Sequence, residues 1–500
     1  MSEEICPVKK FFIETEKENE FYLEQIPTSC LSQNAYYIEC KGEAVIIDPM
    51  RDIENYLDLL KTRKAKLLYI IETHFHADFV SGHYELERKT GAKIIFGPNA
   101  NVNKNAEKTL NTNKEIISEA VDNQILNLGN IKLKIIHTPG HTLESICILL
   151  IDKNGTEKAL FSGDTIFLGE VGRPDLAVNK DLNLTEKDLA GYLWESLQKI
   201  KRLNENLIIF PGHSAGSACG KNITVGIGDS LKNQKINNYA LSDNMNKEEF
   251  VNIASSNLSK PLSYFFHDVK LNKEGYESID ILLEKSLKPL KFEEFMSLAK
   301  EKDYIVIDTR ISEEFSKGFF KGSYSISLKM TFAVWVATLF KPDNKLLLIT
   351  EPGKEKESIL RLFRVGYYNI LGYLEGGFEN FKQKNTQEEN ICKLINLNYD
   401  EIKKMFEEKK IDLVDIREIS EFENTGIVEN SNLIPLGDLE KKIEDFRKFK
   451  NPIGVFCRSG ARAVIGGSIL KKHGYENVFI CGGFEAIKNK GIKCVKYLKK

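Results

Sequence analysis

Ile71-Glu72-Thr73-His74-Phe75-His76-Ala77-Asp78-Phe79-Val80-Ser81-Gly82-His83 is the stretch from which the fold can be read. The run before it, Leu67 to Ile71, is short, apolar and partly β-branched, the pattern of a buried strand, and Ser81-Gly82 opens a helical pattern. A strand therefore ends in a cluster of metal-type donors. If the chain stays extended, alternation puts His74, His76 and Asp78 on one side, where two imidazoles and a carboxylate can converge on one ion. Six of the eight histidines lie between His74 and His213, a concentration that a polar turn does not explain.

Upstream, Ala35 to Cys40 and Glu43 to Pro49 read as a hairpin turning at Lys41-Gly42, followed by a helix with Ile53, Tyr56, Leu57 and Leu60 on one face. Residues 1 to 20 are polar and are expected to fray. Downstream, a helix from Ser81 to about Thr90 stops at Gly91, and Ala92 to Phe96 is a short strand. Three more strands then end in donors. Ile131 to Ile136 runs into His137-Thr138-Pro139-Gly140-His141, Lys158 to Phe161 into Ser162-Gly163-Asp164-Thr165, and Leu207 to Phe210 into Pro211-Gly212-His213. Thr185 to Asp188 starts a helix with a capping box and carries Leu189, Tyr192, Leu193, Leu197 and Ile200 inward. Residues 21 to 265 form one α/β domain on this reading.

From Leu290 the chain repeats itself. One copy holds Ile305-Val306-Ile307-Asp308-Thr309-Arg310, then Leu346 to Thr350 and Glu375-Gly376-Gly377-Phe378. The other holds Leu413-Val414-Asp415-Ile416-Arg417, then Ile453 to Phe456 and Cys481-Gly482-Gly483-Phe484. Short apolar strands alternating with helices imply two modules with mainly parallel sheets, at 285 to 386 and 394 to 500.

A zinc hydrolase built on these donors uses two ions, one on His74, His76, His141 and Asp164, the other on Asp78, His213, the shared Asp164 and residue 79. Residue 79 is Phe79, which cannot ligate, so a mononuclear centre is the more economical reading. Two imidazoles and one carboxylate with open positions suit non-haem Fe(II) and dioxygen. His74, His141 and Asp164 are the chosen ligands, with His76, Asp78 and His213 orienting ligands or substrate. His137 sits on an apolar strand as a structural histidine, and His83 reads as a helix-surface residue.

The second constellation is Cys457-Arg458-Ser459-Gly460-Ala461-Arg462, between a strand and a helix. Such a loop points backbone N–H groups at the sulfur, while the helix N-terminus, Arg458 and Arg462 add positive potential, so a thiolate is favoured. In the first copy the equivalent loop begins with Glu351, and a carboxylate cannot carry a sulfane sulfur. That module reads as structural.

Composition excludes several classes. A net charge of −2 with both signs scattered does not resemble a nucleic-acid or lipid binder, and nine cysteines with no CxxC pair do not make a secreted disulfide framework. Without a signal-peptide pattern or a long apolar run, a soluble, cytoplasmic protein is expected. Nothing in the sequence decides between a monomer and a homo-oligomer.

The motifs THFHADFVSGH, HTPGH, FSGDT, GRPDL and PGHSAGSACGK resemble the persulfide dioxygenase (sulfur dioxygenase) branch of the metallo-β-lactamase fold, and the duplicated segment resembles rhodanese modules. The likeness covers nearly the whole chain from about Ala35. It implies an αββα sandwich with one Fe(II) per chain, then an inactive and an active rhodanese-like α/β domain. The reaction implied joins a low-molecular-weight thiol persulfide with O2 to give sulfite, and Cys457 then passes a sulfane sulfur to sulfite to form thiosulfate. Family members commonly carry histidine where this chain has Phe79. Cys219, just after His213, is a candidate for handling substrate near the metal. The rival readings are a glyoxalase II-like zinc thioesterase, and a sulfur-relay or persulfide-sensing protein without turnover. No residue set marks the thiol that carries the persulfide.

Overall fold

The computed structural model describes residues 9–11, 21–102, 116–178, 183–256, 258, 261–329 and 331–498. Apart from the strand Lys9–Phe11, which pairs antiparallel with Tyr22–Thr28, the expectation for residues 1 to 20 falls outside the described residues. The chain divides into two compact units, Met1–Ile281 with Phe363–Gly366, and Leu282–Leu362 with Tyr367–Lys500.

Among its described residues the first unit contains two sheets. One runs in chain order through Lys9–Phe11, Tyr22–Thr28, Gln33–Cys40, Glu43–Ile47, Lys66–Ile71, Lys93–Phe96 and Ile117–Glu119. The hairpin at Lys41-Gly42 is present, and pairing turns parallel from Glu43–Ile47 onward, where the helix Glu54–Arg63 makes the crossover. The other sheet has the order Asp229–Ser230, Ile208–Pro211, Glu157–Gly163, Ile146–Ile151, Ile131–His137, Ile125–Leu128.

Alternation along Ile146–Ile151 shows how the layers are held. Ile146, Ile148 and Leu150 enter the core shared with Val45, Ile47, Ile71 and Ile95 of the first sheet. Cys147 and Leu149 face the opposite way and pack with Leu193 and Leu197 of the helix Glu186–Ile200. Both faces are covered, which is why this strand is apolar at every position. The result is the αββα sandwich. The capping box at Thr185 and Asp188 is formed, but Tyr192 is 45% exposed rather than inward, since Leu189, Leu193 and Leu197 already fill the buried stripe. The helix expected from Ser81 spans His83–Thr90 and ends at Gly91 in the left-handed conformation (φ 68°), as a glycine stop permits.

The second unit repeats one design. Its two five-stranded sheets among the described residues have the orders Pro289–Leu290, Ile370–Leu374, Lys345–Ile349, Tyr304–Asp308, Ser323–Ser325 and Ile395–Asn396, Val478–Gly483, Ile453–Cys457, Asp412–Asp415, Asn432–Leu433, every pairing within them parallel, and each copy adds one short antiparallel pair, Phe319–Phe320 with Ile391–Cys392 and Ile427–Val428 with Cys494–Val495. The Asp-x-Arg motifs explain the duplication at atomic level. Arg310 Nη2 donates to Asp308 Oδ2 at 2.6 Å and to the Gly318 carbonyl at 2.9 Å, and Arg417 does the same to Asp415 (2.6 Å) and Gly426 (2.9 Å). The Gly-Gly-Phe motif of each copy then places Phe378 or Phe484 against the guanidinium, at 4.1 and 3.7 Å from the ring centroid. Removing one partner of a buried pair leaves the other charge uncompensated. Arg310→Ala and Arg417→Ala should therefore each cost about 3 kcal/mol or more, read as a lower denaturant midpoint. A loss in one copy and none in the other would break the equivalence of the two motifs.

Candidate active sites

The donor stretch after Lys66–Ile71 does not stay extended. It bends, because its backbone is pinned on several sides: Thr73 N–H donates to Asp48 Oδ1 (2.7 Å), Phe75 N–H to Glu144 Oε1 (2.9 Å), and Asn272 Nδ2 to the carbonyls of His76 and Phe79 (2.8 Å each). The expected one-sided row is thus corrected. His74, His76 and Asp78 enter three different clusters: His74 with His141 and Asp164, His76 with Asp48 and Glu72, and Asp78 with His213 and Cys219. All nine of these side chains are buried.

In the first cluster one ligand atom from each residue lies within 4.8 Å of the others. Asp164 Oδ2 is 3.4 Å from His141 Nε2 and 3.8 Å from His74 Nε2. Two donors each about 2.1 Å from one ion sit about 3.0–3.4 Å apart at right or tetrahedral angles, so the set is close to ligand spacing. Each imidazole has its tautomer fixed from behind. Thr73 Oγ1 donates to Asp48 Oδ2 (2.8 Å), leaving it to accept from His74 Nδ1 (2.9 Å), and His141 Nδ1 donates to the Arg173 carbonyl (2.9 Å). Both Nε2 lone pairs therefore face inward. His74 Nε2, His141 Nε2 and Asp164 Oδ2 have no hydrogen-bond partner among the described residues, and neither does His76 Nδ1. Buried polar atoms left unpaired cost about 1–3 kcal/mol each, so this cluster fits a cation.

Charge follows the same logic. Burial pushes Asp164 up, but the imidazoles of His213, His74 and His141 outweigh it and hold the carboxyl below its ordinary range. Burial, with the neighbouring His76, holds His74 well below the usual imidazole value against the pull of Asp164, which keeps it a neutral donor. His213 goes the other way: burial opposes it, yet Asp164 and Asp78 raise it to about 10. Its Nδ1 donates to Asp164 Oδ1 at 2.8 Å and its Nε2 is 2.7 Å from Asp78 Oδ2.

His76 Nε2 lies between Asp48 Oδ1 (3.1 Å) and Glu72 Oε2 (3.3 Å), aligned with neither. Burial lowers His76, but Asp48 and Glu72 raise it well above its ordinary value. His83, expected on a helix surface, is fully buried with Nδ1 3.2 Å from Glu72 Oε1, because Glu72 turns inward and draws it in. His137 is a structural histidine whose Nε2 meets the Leu143 carbonyl at 2.9 Å. Phe79 is buried with its ring 4.3 Å from that of His76. Cys219 is buried as well, and burial together with Asp78 and Asp164 pushes its thiol well up.

Asp48, Glu72, Glu144 and Asn272 were not singled out in the sequence. Asp48 had a signal, since it ends a strand beside the donors as Asp164 does, whereas Asn272 reaches the site from a helix about two hundred residues away in sequence.

At Cys457 the sulfur ends the strand Ile453–Cys457 and accepts the Gly460 N–H at 3.1 Å. Gly460 takes φ 103° to begin the helix Ala461–Lys472, a conformation open to glycine. Arg458 is exposed. Arg462 makes a two-point contact with Glu421 (2.6 and 2.7 Å) and lies 5.7 Å from the ring centroid of Trp335 in the first module. Ile349 pairs with Asp308 as Phe456 pairs with Asp415, so Thr350, and not the expected Glu351, stands where the thiol stands in the second copy, and Gly353 (φ 88°) follows it by three residues as Gly460 follows Cys457.

Residues 28–213 match the metallo-beta-lactamase superfamily, and residues 291–384 and 398–490 each match the rhodanese-like domain. The hydroxyacylglutathione hydrolase of Pelagibacter ubique (strain HTCC1062) is 32% identical over 187 residues, 37% of this chain and 68% of that protein. The chain belongs to the metallo-beta-lactamase superfamily. A second hydroxyacylglutathione hydrolase, from Rhodospirillum rubrum, is 30% identical over 37% of this chain and 63% of its own length, so the chain spans a little under two thirds of that relative. The crystal structure of a metallo-beta-lactamase from Staphylococcus aureus subsp. aureus COL superposes with a TM-score of 0.61 at 29% identity, covering 71% of this chain and 99% of that one.

In this candidate metal centre, Thr73→Val removes the hydroxyl that orients His74. Metal affinity of the full chain should fall about 10- to 100-fold, measured by chelator competition. An unchanged affinity would mean that packing alone orients the ring.

Proposed function

We propose that the chain is a non-haem iron persulfide dioxygenase whose product is used by its own rhodanese-like site. The observation that carries this reading is the His74, His141, Asp164 donor set, two imidazoles and one carboxylate, in a chain where Phe79 replaces a second-ion donor and Cys457 occupies a sulfur-transfer loop. The overall reaction is RSSH + O2 + H2O → RSH + SO3²⁻ + 2H⁺. Ferrous iron held by these three residues would supply dioxygen activation and open positions for substrate. The chain's part is to keep the donors ready: Thr73 and the Arg173 carbonyl hold the two imidazoles in one tautomer, and His213 fixes Asp164 through Oδ1 so that Oδ2 stays free.

Cys457 would take the terminal sulfur of a second persulfide, its S–S bond to the carrier thiol breaking as the Cys457 S–S bond forms. Sulfite then attacks that outer sulfur, releasing thiosulfate and the Cys457 thiol. Gly460 N–H steadies the sulfur through both steps, and exposed Arg458 is placed to meet the anion. Thr350, which stands at the thiol's position and has no sulfur, supports the reading of the first module as structural.

Thioester hydrolysis with zinc is the second reading. The hydroxyacylglutathione hydrolase relatives and the unpaired His76 Nδ1, a fourth donor facing no acceptor, favour it. Anaerobically purified protein should hold about one iron and consume oxygen when given a low-molecular-weight persulfide. Cys457→Ser should keep oxygen uptake within a few-fold and change the product from thiosulfate to sulfite. Two tightly bound zincs with good thioester hydrolysis and no oxygen uptake would sink the dioxygenase reading. Turnover without any partner protein would exclude a pure sulfur relay.

A further inference from the structure

The second unit holds a cavity of about 480 Å³ whose lining shares no residue with the Cys457 loop, and small-molecule sites span about 300–1,000 Å³. Both copies build it. One wall is the short antiparallel pair of Phe319–Phe320 with Ile391–Cys392, extended by Lys321 N–H donating to the Asn390 carbonyl at 2.8 Å. The other is the last turn of the helix Ala461–Lys472 and the turn after it, which carry Lys471 and Glu476. That helix begins just after the Cys457 loop, and its length sets the cavity about 18 Å from its N-terminus.

The lining carries both signs of charge. Lys321, Lys393 and Lys471 face the cavity together with Glu389 and Glu476. Glu476 is already committed: its Oε1 is 3.2 Å from Lys321 Nζ and its Oε2 is 3.6 Å from Lys471 Nζ, and Lys321 above all holds its carboxyl below the usual range. Lys471 is the unusual member. It is only 8% exposed, and of its three N–H donors one meets the Glu476 carbonyl at 2.5 Å, while the carboxylate at 3.6 Å is beyond hydrogen-bond length. A buried ammonium with donors left over calls for an anion on its cavity side. Lys393 is exposed and forms no ion pair among the described residues. Ile391 and Ile395 add an apolar surface, Ile395 being 58% exposed. Cys392 brings a sulfur to the wall. Burial pushes its thiol up more than Lys471 and Lys321 pull it down, so it stays an S–H group and not a nucleophile.

A complementary occupant carries carboxylates for the lysines, an ammonium for the carboxylate that is left, and a short aliphatic part. Those are the features of a molecule made from amino acids. We propose that the cavity binds an amino-acid-derived low-molecular-weight thiol, with its carboxylates on Lys471 and Lys393, its ammonium on Glu389 and its sulfur beside Cys392. Binding is non-covalent. The choice of a thiol rests on the functional reading, in which each turnover of the metal centre releases one RSH, whereas the charge pattern is independent of that reading.

The test uses the full chain and two probes without a free thiol, S-methylglutathione and S-methylcysteine. Cys392 is the reporter: its alkylation by iodoacetamide is followed peptide by peptide in the mass spectrometer, with Cys494 as the internal control. At about ten times its Kd a probe should slow Cys392 alkylation about tenfold by mass action and leave Cys494 unchanged. Which probe acts more strongly tells a peptide thiol from a single amino acid. The dimethyl ester of S-methylglutathione, which has lost its carboxylates, should not protect. Lys393→Glu, at an exposed position, and Lys471→Met should each raise the half-protecting concentration at least about tenfold, with far-ultraviolet circular dichroism confirming the fold. Failure of both probes on the wild-type protein overturns the proposal, as does protection by the ester or protection that survives both lysine variants. Protection without persulfide-driven oxygen uptake leaves the site standing and removes the dioxygenase reading, and oxygen uptake without protection does the reverse.

Discussion

One buried carboxylate holds the candidate centre together. Asp164 spends Oδ1 on His213 and leaves Oδ2 facing His74 and His141, so a single side chain links donors from four different strand ends. Its position is central in the six-stranded sheet, at the end of Glu157–Gly163, flanked by Ile146–Ile151 and Ile208–Pro211. The packing around it leaves no room for variation. A Cβ at Gly172 would fall 2.0 Å from the Asp164 carbonyl and 2.9 Å from His141 Nδ1, and one at Gly212 would fall 2.8 Å from Asp164 Oδ1. Those glycines are the steric condition for bringing three imidazoles onto one carboxylate.

Around that carboxylate runs a ring of groups that never face a ligand yet decide what the donors do. Asp48 binds the backbone and hydroxyl of Thr73 and also faces His76, so it orients one imidazole through a neighbour and another directly. Glu72 ties His76 to His83 and Ser81. Tyr264 and Asn272, from the region of the helix Phe265–Glu274, hold the carbonyls of Asp78, His76 and Phe79. Donor geometry in this centre is thus a property of the whole first unit, and a substitution at the distant Asn272 acts on the ligand loop.

The second unit shows the opposite economy, one buried motif used twice. Both Asp-x-Arg pairs, their glycine carbonyls and their phenylalanine platforms survive in the copy that has no thiol, because they hold strand to helix irrespective of chemistry. What differs is the loop after the third strand. There Cys457 receives the Gly460 N–H, whereas the matching position holds Thr350, without a thiol, and Glu351 after it accepts from Lys354 N–H at 3.0 Å through its backbone carbonyl.

Much of this was legible in the residues alone. Strand ends carrying histidine or aspartate, the duplicated Asp-x-Arg and Gly-Gly-Phe motifs, the capping box at Thr185 and the exceptional loop at Cys457 are local patterns, and local patterns follow from strand and helix periodicity. That His74, His141 and Asp164 were candidates to cluster was legible because each lies just beyond the end of an apolar strand, and the structure brings these three side chains together. Which donors meet was another matter. Alternation placed His74, His76 and Asp78 on one side, but hydrogen bonds from Asp48, Glu144 and Asn272 bend the loop and send the three into separate clusters. The burial of His83, the exposure of Tyr192 and the arrival of Cys219 beside Asp78 likewise depend on which surfaces the fold brings together. Periodicity determines what each segment presents; only packing between segments distant in sequence determines what it is presented to.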